Sequence, residues 1–327
     1  MLLSGCEQKS SHQQRFLQFG TIIDVTLISE VDTAITAFTD IETLLTQRHQ
    51  QWHGWENGTL KQFNDALSSN PSQGISIPPI LDQLLADSKY YFSQTEGLFN
   101  PAMGKLVAAW GFHDHSEPDN EEIQRIKKNI PGMDDLTIKD QLVYSNNSDV
   151  QLDFGAIAKG LAVKQIAQLL DLLEIESYII NAGGDIFSQG EKLHNQPWRI
   201  AIEDPFKPGI ITFLETAEAT SVFTSGNYQR YFRNKDGSIR HHIINPRTGN
   251  PSINISSATV IHADPVIADI AATTLMLTDI SSAKNMAKKL KVENYLIINQ
   301  HKELFVSPKM LSKLDHQLIK QFTLHTL

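Results

Sequence analysis

The chain has 327 residues, 41% of them hydrophobic and 20% charged, with a formal net charge of −9. That composition is ordinary for a globular protein and the length allows a large core, while the acidic balance argues against nucleic acid as a partner, because phosphate binding needs a basic face. No apolar run is long enough to span a bilayer, and the single cysteine, Cys6, excludes an internal disulfide and any cysteine-based metal cluster.

The chain opens Met1-Leu2-Leu3-Ser4-Gly5-Cys6. Leu-Ser-Gly-Cys resembles a bacterial lipobox, in which the cysteine is lipidated after cleavage. Only three residues precede the box, where a leader carries a basic start and an apolar stretch of roughly 7–15 residues. The reading is therefore a lipid anchor at Cys6 behind a trimmed leader or a misplaced start, against an incidental terminal thiol. Polar residues 7–14 read as a tether. Residues 1–18 are accordingly expected to be lipobox remnant and tether, and 19–327 a single compact domain, since no Gly/Ser- or Pro-rich linker divides them.

Residues 21–28, β-branched and apolar, read as a strand. Ala34, Ile35, Phe38, Ile41, Leu44 and Leu45 form the stripe of a helix, followed by an aromatic loop, Trp52-His53-Gly54-Trp55-Glu56-Asn57-Gly58. Helices are predicted at 60–67 and 80–92, a short one from Phe99 to about Trp110, and an exposed helix and turn within 118–135. Strands follow at 141–144 and 150–153, then a helix over 156–173. Further strands fall at 177–181, 198–203, 219–224, 239–244 and 256–261. The chain closes with helices at 266–276 and 281–289, strands at 295–298 and 303–306, and a C-terminal helix. No steady βαβ rhythm appears, so the expected class is α+β, with mixed or antiparallel sheets flanked by helices.

Two Gly-containing turns carry the chemistry. Asp153-Phe154-Gly155-Ala156-Ile157-Ala158-Lys159-Gly160 runs into the helix at 156–173, and Asn181-Ala182-Gly183-Gly184-Asp185 follows a strand. Small residues allow close backbone approach, and a helix N-terminus presents free N–H groups and a positive dipole end to an anion. Each is also readable as a plain tight turn. Thr224-Ser225-Gly226-Asn227-Tyr228 offers hydroxyls for phosphate or ribose, or simply caps a turn. In His241-His242-Ile243-Ile244-Asn245-Pro246-Arg247-Thr248-Gly249, adjacent strand residues face opposite sides, which disfavours a shared metal; one histidine beside a substrate as proton carrier suits the pattern better. Asp269 and Thr273, four apart on a helix, offer a carboxylate and a hydroxyl, a hard-donor pair suited to Mg²⁺. The alternative is an Asp meeting the helix dipole and a Thr filling space.

In their order along the chain these motifs resemble the ApbE family, the FAD:protein FMN transferases, typically periplasmic bacterial lipoproteins. The resemblance runs from Phe19-Gly20-Thr21 to about Leu277 and implies phosphoryl transfer. In that chemistry a threonine hydroxyl of an acceptor flavoprotein attacks the FMN phosphorus of FAD, AMP leaves, and Mg²⁺ neutralises the pyrophosphate. It implies Asp269, Thr273 and Ala156 as metal ligands, and Asp153, Lys159, Phe19, Trp55, Leu98, Phe99, Asn100 and Ile243 as FAD contacts. His242 is the candidate proton acceptor and Arg247 a charge stabiliser. The implied acceptor is a subunit of a membrane redox pump, and the implied location is the periplasm. Asn245 and Asn100 stand where the family has Asp, and Ala102 where it has Thr; none is an implied metal ligand. Two other functions use the same residues: Mg²⁺-dependent hydrolysis of FAD to FMN and AMP, and non-catalytic FAD binding by an anchored lipoprotein.

Overall fold

The computed structural model describes residues 9–114, 116–228, 231–233, 239–315 and 317–327. Cys6 and its lipobox lie outside the described residues. The centre is a nine-stranded sheet. Its strands, in spatial order, are Ser10–Gln18, Thr21–Ser29, Tyr178–Ala182, Asp185–Gln189, Thr220–Gly226, Ile255–His262, Asn294–Asn299, Glu303–Val306 and Thr323–Thr326. Every neighbouring pair is antiparallel except the last. This is the α+β class expected from the element order.

The sheet is covered on both faces, and the strands alternate accordingly. Ala258, Val260, Tyr295 and Ile297 point into the large core, which they share with Ile41 and Leu45 of the Val31–Trp52 helix, Val163 and Ile166 of the Ala158–Leu172 helix, and Ile270 and Leu275 of the Pro265–Leu277 helix. Ile261, Leu296 and Ile298 point the other way, into a second core closed by the hairpin of Trp198–Glu203 and Ile210–Thr216 and by Met310 and Leu314.

Four local expectations need correction. The polar tract taken as a tether becomes, from Ser10 onward, an edge strand paired along its whole length with Thr21–Ser29; its side chains are too polar to announce burial, and the pairing supplies the order. Residues 150–153 make only one isolated bridge, Gln151 to Met103. They are pinned instead by buried Asn64, whose side chain donates to the Leu152 carbonyl and accepts its N–H, both at 2.9 Å. The helix expected from Ala156 begins at Ala158. The C-terminal helix is a short Pro308–Leu311 turn followed by a strand, Thr323–Thr326, lying parallel on Glu303–Val306.

Candidate active site

Two helices and two strand ends build the site. The Ala158–Leu172 and Pro265–Leu277 helices pack so closely that a Cβ on Gly160 would lie 2.6 Å from the Pro265 carbonyl oxygen and 2.9 Å from Asp269 Cβ. Gly160 is therefore small to admit a neighbouring helix, not a ligand. Its N–H donates to Asp269 Oδ2 at 2.8 Å. The N-terminal dipole end of the first helix thus faces a carboxylate of the protein itself. Lys164 and Asp264 clamp the same helix pair at 2.6 Å.

Asp185 comes from the sheet. Gly183 and Gly184 turn the chain between Tyr178–Ala182 and Asp185–Gln189 with φ of +67° and +98°, conformations that favour glycine. The turn delivers Asp185 to the end of its strand, where Oδ1 accepts the Thr224 N–H at 2.9 Å. The Lys159 ammonium contacts Asp185 Oδ2 directly and lies 3.8 Å from Asp269 Oδ1. Both carboxylates are buried, at 3% and 2% exposure. Burial pushes Asp269 up to about 6, with Asp185 adding to the rise and Lys159 and the Gly160 N–H opposing it. Hydroxyls line the adjoining strand: Ser225 Oγ is 3.0 Å from Thr273 Oγ1, and Thr224 Oγ1 is 2.9 Å from Thr259 Oγ1. Lys159 and Asp269 are thus brought together, Thr273 lies one turn beyond Asp269 on the same helix, and half-buried Ala156 sits in the turn just ahead of Lys159.

The sequence pattern leaves the Thr224 and Ser225 hydroxyls open between phosphate or ribose binding and turn capping, and it gives Asp185 no role beyond its place in the glycine turn. The signal was present, because both motifs were visible. What was missing was the strand pairing that sets Asp185 against Thr224.

Asp153 opens the same turn, its Oδ1 accepting the Gly155 N–H at 2.9 Å. Its own N–H donates to the Pro101 carbonyl at 2.8 Å, which brings the 98–100 segment alongside it. Within that segment Leu98 and Phe99 are buried core residues, at 3% and 1% exposure. The Asn100 side chain is engaged locally, donating to the Pro131 carbonyl and accepting the Ala102 N–H. Leu98 and Phe99 thus serve packing, and the segment reaches Asp153 through its backbone. Ile243 is likewise buried.

The aromatic loop has its own frame. Trp55 and His113 rings lie 4.5 Å apart. The neighbouring Phe112 meets Phe232 at 5.5 Å, on the hairpin of Tyr231–Arg233 and Ile239–His241 that leads into His242. Phe19 occupies a hairpin turn at φ +55°, unusual for a bulky side chain, and stacks on Trp52. His49, His53 and Glu56 cluster with their ligating atoms within 4.8 Å of one another. However, His49 Nδ1 accepts the Phe19 N–H, and His53 Nδ1 accepts those of Trp55 and Glu56. The neutral rings therefore carry their protons on Nε2, facing Glu56 at 3.8 and 3.7 Å, and brace the loop in place of ligating a metal.

His241 Nδ1 lies 2.6 Å from the Asn227 carbonyl, and half-buried His242 follows at a bend. Arg247 is paired with an acidic side chain. Its guanidinium is 3.5 Å from Glu96, and both line a cavity of about 510 Å³ with Leu98, Ser282, Asn285 and Lys289. None of Lys159, Asp185, Asp269 or Thr273 lines that cavity.

A profile of the ApbE family matches residues 19–296. Among individual proteins, the chain is 33% identical over 308 residues to an FAD:protein FMN transferase of Rhodobacter capsulatus, covering 92% of this chain and 58% of that protein. It therefore spans less than two thirds of that relative. It is 30% identical to a second FAD:protein FMN transferase, from Vibrio cholerae, covering 85% of this chain and 84% of the other. The fold superimposes on the crystal structure of the ApbE protein of Thermotoga maritima with a TM-score of 0.82 at 25% identity, covering 94% of this chain and all of the other. The flavin transferase ApbE of Vibrio cholerae gives a TM-score of 0.80 at the same identity and coverage.

Proposed function

The chain belongs to the ApbE family, and from that premise we propose that it transfers FMN from FAD to an acceptor protein. The observation that carries this reading is the convergence of Asp185, Asp269, Lys159 and the Ser225–Thr273 hydroxyl pair at the meeting of two helices and two strand ends. In the reaction, an acceptor threonine oxygen bonds to the FMN phosphorus as the bond from that phosphorus to AMP breaks. AMP leaves, and the hydroxyl proton passes to a base.

The donor set suits Mg²⁺. Asp269 and Thr273 supply a buried carboxylate and a hydroxyl, with Ala156 as a backbone ligand, all hard oxygen donors. Two buried carboxylates against one ammonium also leave the site net negative. When bound, the cation neutralises charge on the pyrophosphate. Asp153 and the segment at 98–100 hold the dinucleotide, and Trp55, braced by His53, offers a face for a planar ring. His242 accepts the proton, a role that imidazole chemistry allows at neutral pH. Arg247 stabilises negative charge on the dinucleotide; it lines the cavity that Leu98 also lines, paired there with Glu96. The acceptor is a membrane redox-pump subunit, and the enzyme works in the periplasm on a lipid anchor at Cys6.

The test is mass spectrometry of a candidate acceptor incubated with FAD and Mg²⁺, with and without chelator. The expected result is an FMN mass on a threonine, lost with chelator. AMP release at the same rate without acceptor identifies a hydrolase, and no AMP under any condition identifies a passive FAD binder.

A further inference from the structure

The Lys159 ammonium faces both buried carboxylates of the site. Each buried carboxylate has one oxygen committed to the backbone: Asp185 Oδ1 to the Thr224 N–H, and Asp269 Oδ2 to the Gly160 N–H. The remaining oxygens, Asp185 Oδ2 and Asp269 Oδ1, both face the Lys159 ammonium. The three groups differ in freedom. The carboxylate side chains are 4% and 3% exposed and fixed by those bonds, whereas the lysine side chain is 30% exposed on a flexible four-carbon stem.

We propose that Lys159 is the resident counter-ion of the cation site, neutralising Asp185 and Asp269 until a divalent cation binds and displaces it toward the substrate's phosphates. The inference rests on the cation reading given above and adds Asp185 to the site's charge. Its logic is mutual exclusion. An ammonium within about 4 Å of a divalent ion repels it by several kcal/mol at the effective dielectric of a protein surface, so one leaves as the other enters. The displaced ammonium carries its charge to the edge of the site, where a dinucleotide brings oxyanions. Cation entry and phosphate binding are thereby coupled through one side chain, and the empty site avoids two unpaired buried carboxylates.

The experiment is calorimetric titration of the full chain with Mg²⁺, and with Mn²⁺, in the absence of FAD. Thermal unfolding is followed on the same samples. Lys159→Gln removes the competitor and should bind either cation about tenfold or more tightly than wild type. Its melting temperature should fall in metal-free buffer and recover with Mg²⁺. Lys159→Arg keeps the charge and should bind weakly, like wild type. If wild type binds no cation without FAD, Lys159→Gln is still expected to bind one. Unchanged or weaker binding by Lys159→Gln overturns the counter-ion proposal. Asp269→Asn separates the two levels: if it leaves cation binding intact in the Lys159→Gln background, the cation reading itself fails, whereas loss of binding there supports both.

Discussion

Gly160→Ala tests how the site is assembled, because the perturbation is one methyl group and touches no substrate. The added Cβ would meet the Pro265 carbonyl oxygen at 2.6 Å, Asp269 Cβ at 2.9 Å and Val266 Cα at 3.0 Å. Two of these are backbone atoms, so relief requires one helix to move. Overpacking of this kind costs about 1–3 kcal/mol, and the better helix propensity of alanine returns up to about 1 kcal/mol. A net loss of about 1–2 kcal/mol lowers the melting temperature by roughly 1.5–3 °C in a chain of this size. The functional loss should be larger in proportion. Either helix carries part of the site, Lys159 on one and Asp269 and Thr273 on the other, and misplacement approaching ~1 Å costs up to roughly 100-fold in rate. The assay is single-turnover FMN transfer beside thermal unfolding. Gly155→Ala serves as control, since its Cβ would meet only Asp153 Oδ1, at 3.2 Å. An unchanged or raised melting temperature with full transfer in Gly160→Ala would show slack between the helices and refute the reasoning.

His242→Ala should slow single-turnover transfer by something like 100-fold if the ring is the general base, with FAD affinity retained, whereas His241→Ala should cost far less. Equal slowing in the two mutants would make them a structural pair. Burial depresses the proton affinity of His53, with His49 adding to the effect and Glu56 and Asp153 opposing it. Its stabilisation of the Trp55 loop is therefore present above the ordinary histidine pKa and lost as pH falls through the lower folded value. Hydrogen exchange of the Trp55 and Glu56 amides should accelerate as pH falls below the ordinary histidine range and be pH-insensitive beyond its chemical trend in His53→Asn. Cys6→Ser, made with a full leader, should move the protein from the membrane to the soluble fraction, and equal partitioning removes the anchor.

Much of this protein is legible in local pattern. The stripe from Ala34 to Leu45 and the placement of most helices and strands follow from local side-chain pattern, which survives without tertiary context, though the strands Asp185–Gln189 and Ile210–Thr216 do not. The motifs holding Asp153, Lys159, Asp269 and Thr273 are legible for the same reason: a glycine turn or an i, i+4 pair is a short-range object. The edge strand Ser10–Gln18 and the parallel strand Thr323–Thr326 are not, because their order comes from backbone pairing with a partner, not from an apolar face of their own.

The site divides in the same way. That Asp269 shares a helix face with Thr273 is a property of the helix. That it meets Lys159 depends on two helices approaching closely enough to exclude a Cβ at Gly160. Glycine in the sequence signals only that something comes close, and the structure decides that it is the Pro265–Leu277 helix. The pairing of Asp185 with Thr224 and the turning of Arg247 toward Glu96 are likewise set across the chain, by strand register and by a surface ion pair. Residue types and their spacing determined which chemistry was available; packing between distant segments decided which of those groups share a site.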